Sequence, residues 1–135
     1  MRLEEPECLA CIKYWPKIRP WIEQALSHGG FIFTPEDILD GLLLGHMKLW
    51  LAFDESELKG CCIAQIEQYK RLKVCSVLAV GGKNSRDWLP YYESVRAWGK
   101  SKGCQIGQAV GRRGWEKKAA PLGFYPVATI YRMDL

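Results

Sequence analysis

The 135 residues contain no internal repeat, no low-complexity segment and no block of like charge. The first two absences set aside solenoid arrays and compositionally disordered chains. No apolar run approaches the ~20 residues that cross a bilayer. The opening Met1-Arg2-Leu3-Glu4-Glu5-Pro6 lacks the basic and apolar regions of a secretory signal. The chain is therefore expected inside a cell, without a membrane partner. Histidine is scarce: His28 and His46 stand at element ends, and the sequence identifies no partner for either. Charge of one sign is also short. Nineteen basic against 15 acidic residues leave +4, too mild to argue for nucleic acid without a patch. Lys100, Lys102, Arg112, Arg113, Lys117 and Lys118 form the one cluster, which reads as the solvated ends of two helices. Nucleic acid accordingly ranks last among the partners considered.

Six cysteines are present, yet they do not assemble a metal site on paper. Cys8-x-x-Cys11 has the spacing of half a zinc site, and the second half is missing. Cys61 and Cys62 are adjacent, so in a strand they point to opposite faces. Cys75 and Cys104 sit in apolar strand patterns. The six read as free thiols acting as small hydrophobes in a reducing compartment, and no metal is expected.

What is there fits one domain over residues 1–135. Hydrophobic residues at 48% and charged ones at 25% are ordinary globular values, and a chain this long buries roughly two-thirds of its unfolded surface. Residues 3–5 read as a short strand, with Pro6 opening a helix. Pro16 and Pro20 predict two short helices up to Gly29-Gly30. Thr34-Pro35-Glu36-Asp37 reads as a capped helix start, and Gly45 as its end. The period then changes. Strands are expected over 47–53, 61–69 and 72–80, with a polar hairpin connection over 54–60, so that the three form an antiparallel meander. Strand 72–80 stops at Gly81-Gly82-Lys83-Asn84-Ser85-Arg86, and a helix over 87–102 follows with Asp87 as its cap. Trp88, Tyr91 or Tyr92, Val95 and Trp98 line one helix face. A strand over 104–110 makes this a βαβ unit, hence a parallel pair. A short helix over 114–122 and an apolar strand over 124–134 complete the chain.

That order, together with Gly111-Arg112-Arg113-Gly114-Trp115 and the ending Leu122-Gly123-Phe124, resembles the GNAT superfamily of N-acetyltransferases. The match covers residues 46–135 and, more loosely, the helical N-terminus. It implies a mixed α/β domain of the GNAT-like acyl-CoA N-acyltransferase fold. In the family, the end of the central strand makes a pyrophosphate loop for acetyl-CoA. The residues so implied are Val80, Gly81, Gly82, Lys83, Ser85 and Arg86. More narrowly, the Gly-Arg-Arg-Gly-Trp run is similar to small GNAT-like proteins encoded by tailed phages. That similarity implies a place in the host cytoplasm or the phage particle, and a virion or host protein as partner, with a homo-oligomer as the other association considered. The departures are specific. Both glycines come early against the family pattern of Gln or Arg, two residues, Gly, one residue, Gly or Ala. Trp88 is bulky where the family has small residues against the pyrophosphate, and Ala119 stands where the family often has a tyrosine general acid.

Acetyl transfer to an amine needs a held thioester, a base for the ammonium and a proton for the leaving thiolate. Glu67 is the carboxylate candidate for the base. Tyr125, or else Tyr131, is the candidate acid. The bland alternatives are a surface strand carboxylate and packed aromatic residues. Trp115, with Arg112, Arg113, Lys117 and Lys118 around it, is expected partly exposed against a protein partner, since Trp and Arg dominate interface hot spots. The resulting expectation is a GNAT-fold binding or structural module with a degenerate acetyl-CoA loop. The alternative is an active N-acetyltransferase acting on a protein or small-molecule amine.

Overall fold

A computed structural model describes residues 1–29, 33–111 and 113–135. Arg112 and the side chain of Arg113 lie outside the described part, as does the 30–32 connection. The described elements run β1 (Arg2–Glu4), α1 (Cys11–Gly29), α2 (Pro35–Leu43), β2 (Met47–Asp54), β3 (Glu57–Gln68), β4 (Lys73–Gly82), α3 (Ser85–Trp88), α4 (Glu93–Ser101), β5 (Ile106–Ala109) and α5 (Glu116–Ala119). Single 3-10 turns precede α1 and α5, join α3 to α4 and follow α5. The five strands form one sheet in sequence order. The β1–β2, β2–β3 and β3–β4 pairs are antiparallel, and β4 and β5 are parallel. Among the described residues no helix is long and apolar enough to cross a membrane.

The two expected N-terminal helices are one. Helix α1 runs unbroken through Pro16 and Pro20, although an interior proline costs about 3 kcal/mol. Its other face explains the outcome. Ile18, Ile22 and Leu26 are buried, and each contributes about 1.5–3 kcal/mol. The carbonyls that lose their donors belong to Ile12 and Pro16, both exposed residues, where water can replace the missing bond. Helix α2 starts as expected. The Thr34 hydroxyl accepts from the Asp37 N–H at 3.2 Å, and the Asp37 carboxylate accepts from the Thr34 N–H at 2.9 Å.

The sheet carries a core on each face. Leu49, Leu51, Cys61, Ile63, Leu78 and Ala79 pack with α1 and α2. Trp50, Cys62, Ala64, Cys75 and Val77 pack with Val95 of α4. Leu78 and Ala79 are neighbours in sequence yet share a face, because the register passes from Ile63↔Ala79 to Ala64↔Val77 and leaves Leu78 as a bulge. The β2–β3 connection is a two-residue turn at Glu55 and Ser56, with Glu55 at φ 56°. It is shorter than the expected 54–60 link because β3 pairs from Glu57 onward. The expected helix over 87–102 is interrupted. It begins at Ser85, and the Pro90 segment is a 3-10 turn, since proline has no N–H to give an α-turn. Tyr92, not the exposed Tyr91, is the inward tyrosine.

Cys11, Cys61, Cys62 and Cys75 are buried, while Cys8 and Cys104 are half-buried. Burial pushes the Cys61 thiol up to about 12 and Cys75 up to about 11.

The expected last strand is absent. Residues 124–135 form no helix or strand, and Tyr125, Val127, Ile130, Tyr131 and Met133 are exposed. β propensity alone does not make a strand where no neighbouring ladder is engaged.

Gly81 and Gly82 are placed by packing. A Cβ on Gly81 would meet the Trp21 Cβ at 2.7 Å and the Trp21 carbonyl at 3.1 Å. Gly82 sits at φ +137°, where a Cβ would strike the Lys59 carbonyl. A Gly81→Ala substitution is therefore expected to lower unfolding stability by about 1–3 kcal/mol. Gly114→Ala, where nothing lies within 4 Å of the added carbon, should stay within about 0.5 kcal/mol of the wild type. Urea melts of both variants check this, and equal losses would remove the packing account.

Candidate functional site

Strands β4 and β5 pair only over residues 74–77 and 106–109. Beyond Val77, β4 runs on through Gly82 held by β3 alone, while the chain after Ala109 leads away to α5. The wedge between them is a cavity of about 280 Å³. It lies past the carboxyl ends of two parallel strands, the place where open α/β sheets bind ligands.

Four elements close the cavity. One side of it is β4 over residues 77–82. Trp21, Gln24, Ala25 and His28 of α1 form one wall, and Leu89 and Tyr92 form the opposite one. Trp115, Lys118 and Ala119, followed by Leu122 and Phe124, cover it. The lining is mainly apolar. Along 78–82 the strand edge that faced β5 has no strand partner among the described residues. An extended ligand bearing amides can therefore pair with it as an added strand.

The titratable groups on the lining are His28, Tyr92 and Lys118. Burial holds the Tyr92 hydroxyl far above its ordinary range, with the nearby Cys62 and Cys75 thiols adding to the effect. The phenol thus stays a proton donor. Its ring meets Phe124 edge-on at 5.2 Å. The Lys118 ammonium lies 4.9 Å from the centre of the Trp115 ring, a cation–π contact at the mouth. Among the described residues, no carboxylate lines the cavity.

The residues expected from the sequence divide. Val80, Gly81 and Gly82 line the cavity, whereas Lys83, Ser85 and Arg86 follow just outside the lining. The Lys83 N–H donates to the Lys59 carbonyl at 2.7 Å, so that amide is not aimed at a ligand. Glu67 pairs with Val74. It accepts from the Tyr69 hydroxyl at 2.8 Å and from the Gln65 amide at 3.3 Å. The β3 residues beside residues 77–82 of β4 end at Ala64, three residues or about 10 Å along the strand. Tyr125 is 77% exposed and Tyr131 is 91% exposed, and neither lines the cavity.

Trp115 is half-buried and lines the cavity, while Arg112 lies outside the described residues. Ala119, where the resemblance implies a tyrosine, lines the cavity and brings no hydroxyl. Trp88, bulky where the resemblance implies small residues against a pyrophosphate, packs away from this cavity. Its indole is buried beneath Gly60, where an added Cβ would lie 2.5 Å from the ring, and it donates to the Lys83 carbonyl at 2.8 Å. Trp88 is absent from the cavity lining.

Sequence reasoning missed His28 and Tyr92. For His28 a signal existed: Trp21, Gln24, Ala25 and His28 follow the i, i+3, i+4, i+7 stripe of one helix face. For Tyr92 the sequence offers only a place on a helix face, shared with Tyr91 as the alternative, and no site.

No protein-family model matches the chain, and no curated protein matches it. Solved structures do. The chain is similar to aminoglycoside N-acetyltransferase AAC(6′)-Iy in complex with CoA, at 15% identity over 99% of this chain and 93% of that one, with a TM-score of 0.72. It is similar to a predicted acetyltransferase from Clostridium acetobutylicum with acetyl-CoA, at 9% identity over 98% and 95%, TM-score 0.72. It is also similar to a Bacillus halodurans protein, solved as a tetramutant, at 11% identity over the full length of both, TM-score 0.73. The fold is that of the GNAT-like acyl-CoA N-acyltransferases.

Buried acids give the site region a pH signature. Cys61, Cys62, Cys75 and Tyr92 all have folded-state values above their ordinary 9.0 and 10.0 because burial disfavours the charged forms. Above pH 9 the unfolded chain gives up protons that the native chain keeps, so stability falls as pH rises. Urea midpoints are expected to decline from about pH 9 upward, and Tyr92→Phe should flatten the part of the slope above pH 10. A flat profile to pH 11 in the wild type would contradict the burial of these groups.

Proposed function

We propose that the cavity takes the pantetheine arm of an acyl-CoA thioester, laid as a strand along the free edge of residues 78–82. In this reading the protein works first as a binding module. The unpaired edge carries it: a linear arm with two amides finds backbone donors and acceptors there, between apolar walls. Neighbours in the same fold hold CoA and acetyl-CoA. The exposed Lys83 and Arg86 stand just beyond Gly82, where the charged end of such a ligand would emerge. The glycines before them are occupied by Trp21 and Lys59, which leaves a weaker anion cradle than a free glycine loop. Ala119 in place of a tyrosine, and Glu67 far from the cavity, support binding ahead of catalysis. The resemblance to phage-encoded relatives points to a role in the particle or on a host protein, with the Trp115 side as the face toward a protein partner.

A second reading, an active N-acetyltransferase, is favoured by one observation. His28 and Tyr92 flank the same cavity from opposite walls, a base and an acid in position to serve one reaction. His28 would take the proton of the amine, and Tyr92 would return one to the leaving thiolate.

Thermal unfolding with and without CoA tests both readings. A ligand at about a hundred times its dissociation constant adds about 2.7 kcal/mol to the folded state, a shift of several degrees. Lys83→Ala and Arg86→Ala should each weaken CoA affinity about tenfold or more without changing the melt of the free protein. No shift at millimolar CoA removes the ligand reading. Amine-dependent thiol release from acetyl-CoA that disappears in His28→Ala and Tyr92→Phe replaces the binding module with the transferase.

A further inference from the structure

Cys8 and Cys11 lie at the start of α1, whose second half gives the cavity its wall of Trp21, Gln24 and His28. Residues 8–10 form a 3-10 turn that runs into α1, and the Cys11 N–H closes it by donating to the Cys8 carbonyl. In such a turn, side chains three residues apart lie one above the other. Three steps of it also set the two Cα atoms about 6 Å apart, inside the range that a disulfide spans. An α-turn would stagger the same two side chains. The tighter winding is what brings these thiols together.

The two thiols differ in access. Cys11 is 2% exposed and belongs to the core beneath α1 and α2, and its S–H donates to the Glu7 carbonyl at 3.5 Å. Burial, and after it the adjacent Cys8 thiol, push Cys11 above its ordinary 9.0. Cys8 is half-buried. It stands next to the exposed Leu9 and beside Gly45, where an added Cβ would lie 3.8 Å from its Sγ. A dissolved reagent therefore meets Cys8 first, with Cys11 behind it. The other thiols are placed differently. Cys61 and Cys62 belong to the cores on opposite faces of the sheet. A Cβ added on Gly99 would lie 3.4 Å from the Cys75 Sγ and 3.9 Å from the Cys104 Cβ. Cys75, however, is buried with its thiol pushed up to about 11, so it supplies little thiolate to open an exchange.

We propose that Cys8 and Cys11 form a reversible dithiol–disulfide site that exchanges with small-molecule disulfides of the glutathione class. The Cys8 sulfur, as thiolate, attacks one sulfur of the small disulfide. That S–S bond breaks, and the first small thiol leaves with a proton. The Cys11 sulfur then attacks Cys8 in the mixed disulfide, closing the 8–11 bond and releasing the second small thiol. Two protein thiols are oxidised and one small disulfide is reduced, and the two protons the protein gives up are those the product thiols carry. The dithiol is the resting form in a reducing environment. Closing the ring takes the Cys11 donor away from the Glu7 carbonyl and locks the turn at Leu9 and Ala10. The proposal holds whatever the cavity binds.

Treating the reduced full chain with oxidised glutathione, then unfolding it, blocking the remaining thiols and mapping the peptides by mass, tests it. The peptide holding residues 8–11 should lose two hydrogens, carry no blocking group and regain its thiols with dithiothreitol. Cys61, Cys62, Cys75 and Cys104 should all be blocked. Cys11→Ser should stop halfway, with one glutathione held on Cys8, and Cys8→Ser should stay unmodified. Should Cys11→Ser fail to fold, the wild-type map decides alone. A wild type that keeps Cys8 and Cys11 as free thiols overturns the proposal. So does a bond from either of them to another cysteine, or one between Cys75 and Cys104 in their place. A glutathione that stays on Cys8 in the wild type overturns it as well, since Cys11 would then not complete the exchange.

Discussion

The parting of β4 from β5 after Val77 is the constraint on which the rest of this molecule depends. A parallel pair cannot be closed by a tight turn, so it needs a crossover. Here residues 83–105 make that crossover over one face of the sheet, while α1 covers the other. With both faces covered, the space left by the diverging strands is walled on each side instead of opening flat to solvent. The bulge at Leu78 falls at the point of divergence, where it turns two consecutive side chains into the α1 core and leaves the following backbone as a free edge. Cavity, edge and core are thus consequences of one change in pairing.

Close approach then sets the details. Gly81 lets α1 lie against the strand, and Gly82 lets the strand end pass over the Lys59 carbonyl. Trp88 fills the space under Gly60 on the crossover side. These three contacts explain why a loop that departs from the GNAT glycine pattern still leaves a cavity beside it. The glycines serve the packing of the strand end, and the large aromatic residue belongs to the opposite face. The Lys83 amide is bonded to the Lys59 carbonyl, while the mainly apolar cavity beside it is open.

The part of the candidate site legible in the chain is local. The strand running into the Gly81-Gly82 turn puts Val80, Gly81 and Gly82 at a strand end, and the structure places these three on the cavity lining. His28 and Tyr92 do not stand out as site residues in the sequence, since each joins the cavity only through elements remote along the chain: β4, about fifty residues on, for His28, and the segment after β5, some 20 to 30 residues on, for Tyr92. Glu67 carries the right chemistry in the right strand, but the β3–β4 register sets it about 10 Å from the β3 residues beside the cavity. Tyr125 is close in sequence to a cavity residue, Phe124, yet the chain there follows no ladder that would turn it inward.

By itself the sequence determined the Thr34 capping box, the antiparallel meander, the helical crossover after it and the parallel β4–β5 pair. Each follows from side-chain period, capping chemistry or connection length, which act over a few residues or along a single connection. Only the tertiary structure decided that α1 would run through two prolines, that Trp88 would turn away from the cavity and that the uncharged C-terminal segment would be left without a ladder. Those outcomes depend on how much apolar surface a distant element offers to bury, and on how closely two backbones can meet. Propensity sets what a segment can form, and the partner available in space sets what it does form.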